Sequence, residues 1–311
     1  MPLPPTVLIV VDTLRYEEPL QWSWLRDVPH RWHTRHYGTA PYTLAAMATI
    51  VSGKLPQDHG LYYWKLDPPA IMARSDVQDT VAEDFDNAFA MTGAGWAHGP
   101  TWGFARGFDW HRTPDKDARL RGKFVSDANH FTLLHTYELH HYVFDVDPDR
   151  TRNIHDEMEA DEAHPIHLTT ARNRRLVLVG ERIKQIVEAN PYHRILVTSD
   201  HGEGFSWPRG FGHGFDKWPT DEILHLPLIE FGPAIHATHL DHSFIPQNRL
   251  RSHLAGVPPV DDPANVYWPA ENVQESISFR LQPNGVTHAV VVGEEFPMFG
   301  QISQPSDAPC A

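Results

Sequence analysis

Ile195-Leu196-Val197-Thr198-Ser199-Asp200-His201-Gly202-Glu203 places a short apolar run directly before an aspartate, an imidazole and a glycine. A run of this length, rich in β-branched residues and bounded by turn formers, reads as a strand buried in a sheet. Aspartate and histidine are poor strand residues but good ligands for hard and borderline metals, and Gly202 would let the chain turn so that both side chains face one point. Two readings stand side by side: a polar turn after a strand, and a metal site at a strand end.

Working outward, residues 7–11 (Val-Leu-Ile-Val-Val) repeat the pattern of a doubly buried strand and end at Asp12. A polar, aromatic stretch follows, with Tyr16, Trp22, Trp24, Trp32 and Tyr37, and then residues 44–52 read as a buried helix closed by Gly53. Residues 77–85 predict an amphipathic helix, 88–91 a short strand, and 131–134 a strand opening onto His135-Thr136-Tyr137-Glu138-Leu139-His140-His141. The acidic stretch 145–165 lacks apolar periodicity and reads as an excursion. Leu176, Val179, Ile183, Ile186 and Val187 give 170–189 a continuous apolar face, and strands are expected at 194–198 and 226–231. Helices alternating with apolar strands imply an α/β domain with a mostly parallel sheet flanked by helices. The pattern weakens after Pro233, so the expected division is a catalytic domain over 1–256 and a small C-terminal subdomain or tail over 257–311, with a late strand at 286–292.

A chain of 311 residues, 41% hydrophobic and 21% charged, suits a globular protein with a substantial core. The formal charge of −14 argues against nucleic acid as the main partner, because phosphate backbones are bound by Lys and Arg. A small anionic substrate would need positive charge concentrated locally, most simply as metal ions. The single cysteine, Cys310, cannot form an internal disulfide, and the N-terminal apolar run is too short for a secretory segment, so the expectation is a cytoplasmic protein. No stretch approaches the ~20 apolar residues of a membrane span. Histidines number 22, and that count alone identifies no ligand.

Ligands in open α/β sheets bind beyond the carboxyl ends of the strands. Asp12, the segment 138–140, and the pair Asp200 and His201 each follow such an end, so three strands would deliver carboxylate and imidazole to one edge. Thr43 stands at the mouth of the proposed helix. It could be an N-cap, or a nucleophile at a helix end whose free N–H groups favour an anion; Ala46 stands where a capping box would place Glu or Gln.

Together these segments resemble the sulfatase-like branch of the alkaline phosphatase superfamily. Val10-Val11-Asp12-Thr13-Leu14-Arg15 is similar to its first strand and metal motif. Residues 40–53, Ala-Pro-Tyr-Thr-Leu-Ala-Ala-Met-Ala-Thr-Ile-Val-Ser-Gly, with Leu55-Pro56-Gln57-Asp58-His59-Gly60, resemble its nucleophile helix and following turn. Gly107-Phe108-Asp109, the 198–203 segment and Leu224-His225-Leu226-Pro227-Leu228-Ile229 follow in the same order. The resemblance covers about residues 7–256, and its specificity lies in the combination.

The resemblance implies that Asp12, Asp200 and His201 bind one metal together with Thr43, the residue at the nucleophile position. Sulfatases of the family place there a cysteine that is oxidised to formylglycine. Threonine suits phosphoryl transfer through a phosphothreonine instead. Glu138, His140 and His213 are implied for a second metal, with His135, His141 and His225 as neighbours that could substitute or be structural. Zinc or manganese fits the mixed ligands better than calcium, which favours more oxygen donors, and Thr13 departs from the paired aspartates of many sulfatases. Two ions would lie about 4 Å apart. Arg15, Lys54 and Lys65 are candidate substrate contacts, and Trp22, Trp24, Trp32, Trp96, Trp102 and Trp110 could line a pocket or pack the core. The expected activity is hydrolysis of a phosphate ester or phosphodiester; the alternatives are a sulfuric ester hydrolase, a phosphotransferase using the same intermediate, and a silent metal-binding protein.

Overall fold

Strand β1 (Thr6–Val11) is buried along its whole length, and its alternate side chains enter two separate cores. The computed structural model describes residues 4–61, 77, 79–93, 102–112, 120, 125, 130–140, 165–205, 213, 220–260, 263–268, 277–282, 285–291 and 294–296. Lys65, Trp96, His141, Cys310 and the acidic stretch up to residue 164 lie outside them.

On one side of β1, Leu8 and Val10 pack with α1 (Thr43–Ser52), all of whose ten residues are buried. A helix apolar on every face has no side for solvent, which explains that depth. It ends where Gly53 adopts a left-handed φ of 71° and donates its N–H to Thr49 O at 2.8 Å. A one-turn helix, α2 (Pro56–His59), follows.

On the other side, Val7, Ile9 and Val11 pack with the long helix α3 (Pro165–Ala189). Its buried face carries Leu176, Val179, Ile183, Ile186 and Val187, the stripe expected from the sequence. Trp22, Trp24 and Trp32 join this core, with Trp22 Nε1 donating to Leu176 O at 3.0 Å. They are packing residues rather than pocket lining.

The other main-sheet strands are β2 (Arg31–Tyr37), β3 (Ala88–Thr92), β4 (Trp110–Arg112), β5 (Phe131–Thr136), β6 (Arg194–Thr198), β7 (Leu228–Phe231) and β8 (His239–Pro246). Their spatial order is β4-β3-β5-β1-β6-β7-β2-β8. Every neighbouring pair is parallel except those of β7, which runs antiparallel to both β6 and β2. The mostly parallel α/β sheet is therefore as expected, with one reversed strand inside it. Two short helices, α4 (Asp221–Leu224) and α5 (Leu250–Leu254), flank this half. A separate antiparallel sheet has the order β12-β11-β10-β9, from β9 (Ala264–Trp268), β10 (Ile277–Gln282), β11 (Gly285–Val291) and β12 (Glu294–Phe296).

Two expectations need correction. Residues 77–85 do not form an amphipathic helix: the described part holds a single 3-10 turn, Val81–Asp84, started by a capping box between Thr80 and Glu83. Phe85 leaves it in an extended conformation and stacks on Phe131 with centroids 4.8 Å apart, so a tertiary contact outweighs helix continuation. The polar stretch before α1 contains strand β2, which hydrophobic patterning alone did not reveal. Among the described residues, no helix is long and apolar enough to cross a membrane.

Candidate metal and nucleophile site

Because β5, β1 and β6 are adjacent and parallel, their carboxyl ends open on one edge. Val10 lies in register with His135 on one side and Thr198 on the other. Asp12, His135 and the Asp200–His201 pair therefore converge from three neighbouring strands. Asp12, Asp200 and His201 are completely buried, and each offers a ligand atom within 4.8 Å of the others.

Thr43 is the first residue of α1, while Tyr42 takes the cap position in an extended conformation without a side-chain cap bond. The threonine side chain turns instead into the cluster, with Oγ1 3.1 Å from Asp12 Oδ2 and 3.3 Å from His201 Nε2. Its N-cap reading is thereby set aside. The helix end also directs its positive dipole at the place where an anion would sit.

Asp200 Oδ1 accepts the N–H groups of His201 at 2.9 Å and Thr13 at 3.3 Å, which fixes the carboxylate plane. Its Oδ2 and Asp12 Oδ1 are buried and accept no hydrogen bond among the described residues. Two such buried oxygens side by side are costly unless a cation balances them. Burial, and then the Asp200 charge, push the Asp12 carboxyl well above the usual range, while its bond from Thr43 opposes them. His201 Nδ1 lies 2.9 Å from Gly202 O and donates to it, so Nε2 faces inward as an acceptor. Burial brings this imidazole down to about 4, against the attraction of Asp200 and with the help of His213, so it is neutral and able to ligate. Free carboxylate oxygens, a neutral imidazole and a hydroxyl suit a divalent cation of the zinc or manganese type.

Gly202 is required by proximity rather than by a left-handed turn. A β-carbon there would stand 1.9 Å from Glu222 O and 3.0 Å from the Glu222 carbonyl carbon, both backbone atoms. Gly202 also donates its N–H to Ile223 O at 2.8 Å, tying the His201 loop to α4. Gly202→Ala is expected to destabilise the fold by about 1–3 kcal/mol through this overpacking and to weaken metal binding as His201 shifts. Urea unfolding and a metal titration of the variant check both effects.

The implied second site is only partly assembled. His140 stacks on Tyr137 with centroids 4.3 Å apart and meets His213 edge-on at 5.1 Å, and His213 lies 4.3 Å from His201. Glu138 is committed elsewhere: its Oε1 accepts the Leu120 N–H at 2.6 Å and its Oε2 pairs with Arg182. The carboxylate that reaches this edge is Glu203, whose Oε1 lies 2.8 Å from His213 Nδ1. Burial disfavours its ionisation, but His213, Arg172 and His140 together hold its carboxyl far below the usual range. Its signal was a second carboxylate in the same loop as Asp200. His135 was the other underweighted residue: Nε2 lies 3.7 Å from Asp12 Oδ2 and 3.9 Å from Asp200 Oδ2. His225 stacks between Tyr16 at 3.8 Å and Tyr37 at 4.8 Å, a structural place.

Of the basic candidates, Arg15 and Lys54 lie among the described residues, and both are engaged by acidic partners. Arg15 pairs with Glu17 at 2.6 Å and Glu222 at 3.5 Å, its guanidinium 5.5 Å from the Phe205 ring centre. Lys54 pairs with Asp79 at 3.6 Å beyond the far end of α1, about 15 Å along the helix axis from Thr43. A second trio, His33, Glu230 and His253, meets at the opposite edge of the sheet. There Arg194 contacts Glu230 at 2.6 Å and Arg31 contacts it at 3.3 Å, so guanidinium groups already neutralise the carboxylate. That trio is an ion-pair network.

No protein-family model matches the sequence, and no curated protein does. Solved structures match over nearly the whole chain. A 2-O glycosaminoglycan sulfatase superposes with a TM-score of 0.70 at 12% identity, covering 96% of this chain and 85% of its own. An alkaline phosphatase superfamily protein from Vibrio parahaemolyticus gives 0.60 at 14% identity, covering 96% and 82%. The C-terminal periplasmic domain of EptC from Escherichia coli, in complex with Zn, gives 0.55 at 16% identity, covering 83% and 84%. The chain therefore has the sulfatase-like fold of the alkaline phosphatase superfamily.

Proposed function

We propose that this protein is a metal-dependent hydrolase of a phosphate ester or phosphodiester that uses Thr43 as its nucleophile. The observation that carries the reading is the position of Thr43 Oγ1, at the start of α1 and within 3.1 Å of Asp12 and 3.3 Å of His201. A hydroxyl at this point favours phosphoryl transfer over formylglycine chemistry, for which the position offers no cysteine. The Zn complex of the EptC domain supports the choice of cation class.

Asp12, Asp200, His201 and Thr43 would hold the first cation, and His140 and His213 a second, with Glu203 in place of Glu138 fixing His213. A divalent cation bound there supplies Lewis-acid lowering of the hydroxyl pKa and neutralises the anionic ester. Asp12 Oδ2 accepts the hydroxyl hydrogen bond and so orients the Thr43 oxygen for attack. The Thr43 oxygen gives its proton to water and bonds to phosphorus as the bond from phosphorus to the organic oxygen breaks, and the leaving oxygen takes a proton from water. Water then cleaves the phosphothreonine, releasing phosphate, or a phosphomonoester when the substrate is a diester, and returning a proton to Thr43. An alcohol acceptor in place of water would make the same site a phosphotransferase.

The test strips the protein of metal and restores zinc, manganese or calcium in turn with chromogenic phosphomonoester, phosphodiester, phosphonate ester and sulfate ester substrates. The expected result is phosphate-ester turnover that returns with zinc or manganese. Turnover of the sulfate ester alone overturns the phosphate assignment. Stoichiometric metal uptake with no turnover identifies a silent binder.

A further inference from the structure

Arg172, carried by α3, is an arginine only 2% exposed. Its Nε donates to Glu18 Oε1 at 2.6 Å and its Nη2 to Glu18 Oε2 at 2.9 Å, a bidentate pair. The same guanidinium also reaches Thr13, through Nη2 to the carbonyl oxygen at 2.5 Å and Nη1 to Oγ1 at 3.2 Å. Thr13 is one of two described non-glycine residues with a positive φ, at 64°. A β-branched residue in that region costs about 1–2 kcal/mol and persists only where its surroundings impose it. The conformation has a consequence at the site: it follows Asp12 directly and aims the Thr13 N–H at Asp200 Oδ1, 3.3 Å away.

We infer that Arg172 is a positioning residue that presets the metal-ligand geometry by clamping Thr13 between Asp12 and Asp200. This inference rests on the proposed metal site. Arg172 touches neither carboxylate. It acts through the Thr13 backbone, which carries Asp12 on one side and orients Asp200 by a hydrogen bond on the other. The planar fork is essential, because a lysine ammonium in its place would keep a charge for Glu18 but could not span Glu18 and both Thr13 oxygens. Groups that orient metal ligands from outside the coordination sphere affect affinity about 10- to 100-fold.

The test is a titration of the metal-stripped full chain with Co(II), read from the visible d–d bands, in the wild type, Arg172→Lys and Arg194→Lys. Arg194 is the control, since it too is an arginine on a buried carboxylate, Glu230, but stands at the opposite edge of the sheet. The expected result is an affinity loss of about tenfold or more, with altered d–d bands, in Arg172→Lys alone. Wild-type affinity in Arg172→Lys, or an equal loss in both variants, overturns the inference. A wild type that shows no Co(II) bands overturns the metal site itself, a separate failure. If Arg172→Lys does not fold, Thr13→Pro, whose ring cannot adopt the positive φ and which removes the N–H, takes its place against the same control: a selective affinity loss supports the clamp and an unchanged affinity overturns it.

Discussion

Thr43→Ala is expected to lower turnover of the metal-restored enzyme by about 10⁴-fold or more, because it removes the attacking oxygen rather than one of its supports. Thr43→Ser keeps the hydroxyl and should retain measurable turnover. The fold should tolerate both changes. Alanine is a good residue in the first helical turn, Tyr42 rather than Thr43 occupies the cap, and the loss from Thr43 is one hydroxyl, which lies 3.1 Å from Asp12 Oδ2 and 3.3 Å from His201 Nε2. The measurement is kcat on the best phosphate ester, paired with metal affinity and thermal unfolding of each variant. Substantial turnover in Thr43→Ala would sink the nucleophile assignment. A loss of activity explained wholly by lost metal would reduce Thr43 to a ligand.

The parts of the fold legible in the sequence were those whose burial is complete and local. Strand β1 and strand β6 are apolar on both faces, and α3 carries its buried stripe at helical spacing, so periodicity alone described them. Strand β2 was hidden because its burial is bought by partners about 200 positions away. Arg31 and His33 meet Glu230 at 3.3 and 3.5 Å, and His36 Nδ1 meets Ile245 O at 2.6 Å. No local pattern reports such pairing. The same contrast holds at the site. Asp12, Asp200 and His201 each follow a legible strand, whereas Glu203 and Arg172 act through contacts with His213 and Thr13 that only the folded chain creates. Glu138 misled for the converse reason: it occupies a suggestive sequence position, but Arg182 on α3 draws it away.

The metal-free protein is expected to lose stability steeply as the pH falls below about 6.5, because the fold buries neutral histidines that an unfolded chain would protonate. Burial brings His36 down to about 3, opposed by its bond to Ile245 O and reinforced by His33, His225 and His253. Burial likewise brings His59 to about 3 and His225 to about 4. His59 shows the local cost, since Nδ1 accepts the Leu61 N–H at 3.0 Å and protonation would set two donors face to face. Their folded values lie below the unfolded one, so their contribution is complete above about pH 6.5 and shrinks as protons bind the unfolded chain. At pH 5 each group removes about 2 kcal/mol, and the three about 6 kcal/mol, comparable with the whole stability of many domains. Asp12 works the other way, since burial and then the Asp200 charge raise its carboxyl pKa and acid relieves both, which subtracts from this loss. Below the ordinary glutamate range the loss continues, because, against the burial that disfavours its charge, His253, His33 and Arg194 hold the Glu230 carboxyl low and protonation forfeits those contacts. Urea midpoints measured with chelator from pH 8 to pH 5 should fall accordingly, and His59→Gln, which can still accept from Leu61, should flatten the slope by about 1.4 kcal/mol per pH unit. A midpoint that stays level between pH 7 and pH 5 would show that these histidines are not buried and neutral in the folded protein.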